Sequence, residues 1–130
     1  MKLRLPVDML ILQVLSDGEH ANPIRVRFLV SEQHGDEIRN RLGKEMWSLD
    51  YITQRMSTLR RDLELLERVP PDDSGLYRIS DLGHYALRHT IEEGDDEISI
   101  RELLEKSEEV GETEPVPADA IPWDLLANYS

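Results

Sequence analysis

Residues 48 to 83 hold, in succession, an amphipathic helix, a two-stranded hairpin and the start of another helix, and this order restricts the fold more than any other stretch. Ser48 is a favourable N-cap, and Leu49, Ile52, Met56, Leu59 and Leu63 follow it at alternating spacings of three and four. On a helical wheel these five lie within about 80° of one another, a single stripe for burial. Asp50, Tyr51, Gln54, Ser57, Thr58 and Arg61 point away from it, with Thr53, Arg55 and Arg60 on the flanks. Leu65 to Val69 predicts a strand, Pro70-Pro71-Asp72-Asp73-Ser74-Gly75 a turn, and Leu76 to Ile79 a returning strand. Ser80 then caps a helix carrying Leu82, Tyr85, Ala86 and His89.

Upstream, Pro6 opens a helix in which Val7, Leu10, Ile11, Val14 and Leu15 form one stripe, closed by Asp17-Gly18. Asn22-Pro23 places a cap before a proline at the first helical position. Ile24, Phe28 and Leu29 continue as a second helix, which Gly35 is expected to interrupt. Ile38, Leu42 and Met46 recur at four-residue steps and predict a further short helix ending near Trp47, an insertion over residues 31–47.

Helix, helix, helix, hairpin, helix is the order of a winged helix-turn-helix. The fold class expected is therefore mainly α with a small β-hairpin, a winged helix-turn-helix over residues 1–90 plus a C-terminal helical extension. On such a fold, helix 49–63 faces the DNA major groove and the wing, 66–79, flanks phosphates. Gln and Arg can read adenine and guanine edges in bidentate fashion, whereas Tyr, Ser and Thr commonly bond phosphates. The DNA-contacting residues expected are Tyr51, Thr53, Gln54, Arg55, Thr58, Arg60 and Arg61 on the helix and Arg68 and Arg78 on the wing. Asp72 and Asp73 at the wing tip argue against deep minor-groove insertion.

The formal charge of −12 at first argues against nucleic acid. Residues 1–90, however, carry 13 Lys+Arg against 14 Asp+Glu, and residues 91–130 carry 2 against 13. Acidity is thus concentrated in the tail, while residues 39–61 hold Arg39, Arg41, Lys44, Arg55, Arg60 and Arg61 against Glu45 and Asp50. That local excess is what a phosphate backbone would meet. Only three lysines accompany 12 arginines, a carboxylate-rich composition suited to a protein that stays hydrated in concentrated salt. In such salt, phosphate contacts weaken and hydrogen bonds, shape and apolar burial must carry more of the affinity.

Other functional classes find little support. The chain has no cysteine, which excludes disulfides and thiolate chemistry. No apolar run approaches the roughly 20 residues of a membrane helix, and the N-terminus lacks a signal-peptide core, so a cytoplasmic protein with no membrane contact is expected. His20, His34, His84 and His89 form no metal-ligand pair, phosphate loops and nucleophile elbows are absent, and no carboxylate stands alone in an apolar stretch as a tuned acid would. No catalytic residue, metal or cofactor is expected.

Beyond residue 90 the pattern changes. Residues 91–97 read as an acidic linker and 98–110 as a helix, with Ile100, Leu103 and Leu104 on one side, suited either to dimerisation or to folding back on its own domain. Residues 111–130 read as a flexible tail whose Ile121, Trp123, Leu125 and Leu126 form an apolar anchor for a partner, a second subunit or the protein's own core. An alternative use of the same fold is protein contact through this acidic tail.

Leu-Asp-Tyr-Ile-Thr-Gln-Arg-Met-Ser-Thr-Leu (49–59), Leu-Leu-Glu-Arg-Val (65–69) and Ser-Gly-Leu-Tyr-Arg-Ile-Ser-Asp-Leu-Gly (74–83) resemble the winged-helix repressors of haloarchaea and their viruses, the group named for the halovirus phi-H repressor. Pro-Val-Asp-Met-Leu-Ile-Leu-Gln-Val-Leu (6–15) is similar to their first helix, and the resemblance spans roughly residues 6–90. It implies sequence-specific binding to double-stranded DNA, usually as a homodimer, in control of transcription. The reading positions it implies are Tyr51, Gln54, Arg55 and Thr58, while the 31–47 insertion and Asp50 depart from the family pattern.

Overall fold

The computed structural model describes residues 6–93 and 114–127. It is mainly helical, with one small antiparallel hairpin, an arrangement compatible with a winged helix. The helices are α1 (Val7–Val14), α2 (Pro23–Leu42), α3 (Leu49–Arg61), α4 (Asp81–Glu93) and the short α5 (Trp123–Leu126). Strands β1 (Leu66–Arg68) and β2 (Tyr77–Ile79) pair with Leu66 opposite Ile79 and Arg68 opposite Tyr77. Ala21 and Tyr77 exchange two backbone hydrogen bonds of 2.9 and 2.8 Å, which tie the segment before α2 to the hairpin. The expected 98–110 helix lies outside the described residues.

Helix α1 departs from the single-stripe expectation. Every residue from Val7 to Val14 is buried, Asp8 and Gln13 included, so α1 is the centre around which α2, α3 and α4 pack.

Helix α2 corrects the expected break at Gly35. It is one continuous helix of 20 residues, capped by Asn22 Oδ1 accepting from Arg25 N–H at 2.8 Å and ended by Gly43 in the left-handed region. Its buried line is Val26, Leu29, Val30, His34, Ile38 and Leu42. Ile24 and Phe28 lie off this line and are 65 % and 54 % exposed. A glycine inside a helix costs about 1 kcal/mol, which burial of Ile38 and Leu42 beyond it more than offsets. Residues 43–48 then run back along α2: Arg27 Nε donates to Trp47 O at 2.8 Å, and Glu45 and Met46 line a shallow groove with Ser31, Gly35 and Arg39. The segment expected to be a short helix ending near Trp47 is this return, and it delivers the start of α3 beside the first turns of α2.

The C-terminal tail folds onto the protein's own core. Ile121 and Leu126 are buried, each apolar side chain contributing about 1.5–3 kcal/mol. Ser16 Oγ accepts from Val116 N–H at 2.8 Å, Gln13 Nε2 donates to Val116 O at 3.0 Å, and Arg88 donates to Glu114 O at 3.0 Å. The Trp123 ring packs at 5.7 Å on His34, and Asp124 pairs with Arg41 at 3.0 Å. Residues 114–127 therefore act as a strap over α1 and the second half of α2, which corrects the flexible-tail expectation for this stretch.

At the other side of the core, Ser80 Oγ accepts from Gly83 N–H at 3.0 Å and donates to Glu64 O at 2.7 Å, so the start of α4 is fastened to the chain entering β1. A Cβ at Gly83 would lie 2.2 Å from Leu65 O and 2.7 Å from Ile79 Cγ1. The backbone can approach this closely only without a side chain.

Two outcomes follow from these contacts. Gly83→Ala should lower stability in urea titration by at least about 2 kcal/mol; an unchanged midpoint would contradict the contact. His34, hydrogen-bonded to Gln13 Oε1, is held down to about 4 by burial, with Glu37 acting the other way. Its folded-state value lies below the unfolded one, so the stability it contributes is present above about pH 6.5 and lost as pH falls toward 4. The loss should reach about 2–3 kcal/mol and be largely absent in His34→Gln; equal pH slopes in the two proteins would exclude it.

Candidate nucleic-acid interface

The surface singled out by the sequence is the outer face of α3. Ser48 Oγ accepts from Tyr51 N–H at 3.2 Å and sets the start of the helix. Ile52, Met56 and Leu59 are fully buried beneath it. The helix ends at Arg61, two residues short of the expected 49–63, because Leu65 N–H bonds back to Leu59 O at 2.8 Å and Glu64 turns the chain into β1 with φ +59. Leu49, expected in the buried stripe, is 39 % exposed at the first turn.

Thr53, Gln54 and Arg61 are exposed on this face, and Thr58 is half-buried between Gln54 and Arg61 along it. Thr53 Oγ1 donates to Leu49 O at 2.7 Å, which uses its one proton and leaves the oxygen lone pairs as acceptors. Tyr51 is partly covered by the core. The side chains of Gln54 and Arg61 form no hydrogen bond or ion pair among the described residues, so both retain their full donor capacity.

Arg55 is placed differently from the sequence expectation. Its Nε and a terminal nitrogen bond Asp8 Oδ1 and Oδ2 at 2.9 and 2.7 Å, a bidentate pair with side chains 12 % and 0 % exposed. The hydrogen bonds to Asp8 raise the Arg55 pKa further, although burial opposes them. Arg55 is thereby committed to α1, which removes it from the outer reading set. Asp8 also corrects the statement that no carboxylate stands alone in an apolar stretch: Val-Asp-Met-Leu-Ile-Leu surrounds it, and that isolation was the available signal for a buried partner.

The remaining arginines form a modest basic border. Arg60 is half-buried between α3 and the hairpin, in a depression shared with Glu64, Glu67 and Asp81 that offsets its charge. Its Nε is enclosed without a hydrogen-bond partner. On the wing, Arg78 pairs with Glu67 at 2.9 Å, and the Arg68 guanidinium stacks 5.8 Å over the Tyr77 ring. Earlier in the chain, on α2, Arg39 pairs with Asp36, and Arg41 with Glu37 at 2.7 Å and with Asp124. The positive excess counted over residues 39–61 thus shrinks in the folded protein to Lys44 and Arg61.

Sequence reasoning missed the neighbours of this face on α2. Ile24, Arg25 and Phe28 are exposed on the first turns of α2, the stretch whose Arg27 holds Trp47 O just ahead of α3, with the Arg25 guanidinium 5.5 Å over the Phe28 ring and bonded to Glu19 at 3.2 Å. Among the described residues no group of three or more His, Asp or Glu side chains is placed to hold a metal ion, and no helix is long and apolar enough to cross a membrane.

Breaking the buried pair should be costly. Asp8→Asn should lower unfolding free energy by about 3–5 kcal/mol, because the Arg55 charge is left buried beside a neutral amide, whereas Asp8→Leu combined with Arg55→Met should restore most of it. Denaturant titration of the three proteins checks this, and a single variant as stable as the parent would contradict it. Compared with protein-family models, curated proteins and solved structures, the chain finds no match.

Proposed function

We propose that the chain is a winged-helix, sequence-specific DNA-binding regulator of transcription, a repressor of the kind its sequence resembles. The observation that carries this reading is the division of α3. Ile52, Met56 and Leu59 are sealed in the core, while Thr53, Gln54 and Arg61 stand exposed beside a two-stranded hairpin. A helix of 13 residues with one face free is the shape that enters a major groove. Gln54 is suited to an adenine edge, Arg61 to a guanine edge or a phosphate, and Thr53 and Thr58 to phosphates. Arg60, Arg68 and Arg78 border the groove from the hairpin side.

The short supply of unpaired cations argues for binding that leans on hydrogen bonds and shape more than on counterion release. This agrees with a protein adapted to concentrated salt and working in the cytoplasm as a homodimer on a two-fold site.

The second reading, a protein-contact module, loses the apolar anchor on which it was first based, since Ile121 and Leu126 are buried in the same chain. The exposed Ile24 and Phe28 are the observation that still favours it.

Fluorescence-anisotropy titration with the duplex upstream of the protein's own coding region, at stated salt, separates the two. Gln54→Ala should cost about 1–3 kcal/mol of preference at one base position per half-site. Arg61→Ala should weaken binding to every duplex and, if it meets a phosphate, reduce the salt slope by about 1. Equal and weak binding to all duplexes would favour protein contact.

A further inference from the structure

We infer that the Asp8–Arg55 pair is a positioning device for the outer face of α3: it sets the rotation of that helix on the core and so decides which of its residues meet the bases. The inference rests on the DNA-binding reading of this face. Three features carry it.

First, the apolar contacts under α3 hold it without directing it. Ile52, Met56 and Leu59 are fully buried, but hydrophobic burial is non-directional, and a greasy seam tolerates small rotations with repacking. A turn of about 20° moves a side-chain tip at the helix rim, some 6 Å from the axis, by about 2 Å. That displacement exceeds what a bidentate hydrogen bond to a base edge accepts.

Second, the pair is directional and anchored. Two parallel N–H···O bonds of 2.9 and 2.7 Å fix the guanidinium plane against the carboxylate. One end sits on α1, buried along its whole length. The other sits on the inner side of α3, next to Gln54 in sequence and within one helical turn of Tyr51 and Thr58, near the middle of the helix.

Third, adhesion alone does not require charge at this place. Removing a carboxylate and a guanidinium from water costs about what their attraction returns, and an apolar pair of similar volume holds two helices together as well or better. What the ion pair adds over an apolar pair is geometry.

The test uses the full chain. The parent protein is offered a pool of random-sequence duplexes, and discrimination is the ratio of its Kd for a scrambled duplex to its Kd for the one it selects. Two variants are then compared: Arg55→Lys, which keeps the charge without the fork, and the double variant Asp8→Leu with Arg55→Met, which replaces the pair by apolar contact. Both should bind the scrambled duplex within about twofold of the parent, while discrimination falls about tenfold, the size of one lost bidentate base contact.

Unchanged discrimination in either variant, with a parent-like circular dichroism spectrum, would overturn the inference and leave the pair a purely structural one. If the double variant fails to fold, Arg55→Lys decides alone. A salt slope lower by about one in the double variant would place Arg55 on a phosphate and also overturn it. A parent that selects no sequence would defeat the DNA-binding reading itself, a result distinct from both.

Discussion

Every residue of α1 is buried, and two of them, Asp8 and Gln13, carry polar groups that must find partners inside the protein. The rest of the architecture is arranged around those needs. Asp8 is met by the Arg55 fork from α3, Gln13 by His34 from α2 and by the backbone of Val116 from the strap. A wholly apolar α1 would be packed just as tightly, but it would leave its neighbours free to slide. With two polar residues at opposite ends, the central helix specifies where α3 and the C-terminal strap lie as well as that they adhere.

The strap and the long α2 belong together. Were α2 to stop at Gly35, Ile38 and Leu42 would be absent from the core and the strap residues Ile121 and Leu126 would have no extended half-helix to cover. The extra turns also oblige residues 43–48 to return along α2, and that return brings Trp47, just ahead of α3, back to Arg27 in the first turns of α2. An insertion that reads as a disturbance of a compact helix-turn-helix is thus what joins the candidate interface to the C-terminal part of the chain.

Local signals were legible in the sequence where local chemistry decides the outcome. Ser48 and Asn22 cap helices through their own side chains, and Ser80 does so at Gly83. The hairpin follows from alternating strands around a proline-rich turn, and α3 follows from its apolar spacing. What the sequence hid depends on partners far along the chain. Gly35 does not break α2 because residues more than 80 positions later cover the turns beyond it. Arg55 looks like a free flank residue because Asp8 is 47 positions away. Ile24 and Phe28 share a helical face, yet the buried line runs instead through Val26, Val30, His34, Ile38 and Leu42, whose four-residue steps are interrupted in hydropathy by the histidine.

The account stands on an open, polar, correctly rotated face of α3. Backbone NMR of the isotopically labelled full chain, recorded while the selected duplex is added, tests this most directly. Amide shifts should concentrate on Thr53, Gln54, Thr58 and Arg61 and on the hairpin, with Val116 to Leu126 unmoved. Shifts confined to Ile24, Phe28 and the strap, or no shifts with a duplex at saturating concentration, would contradict it.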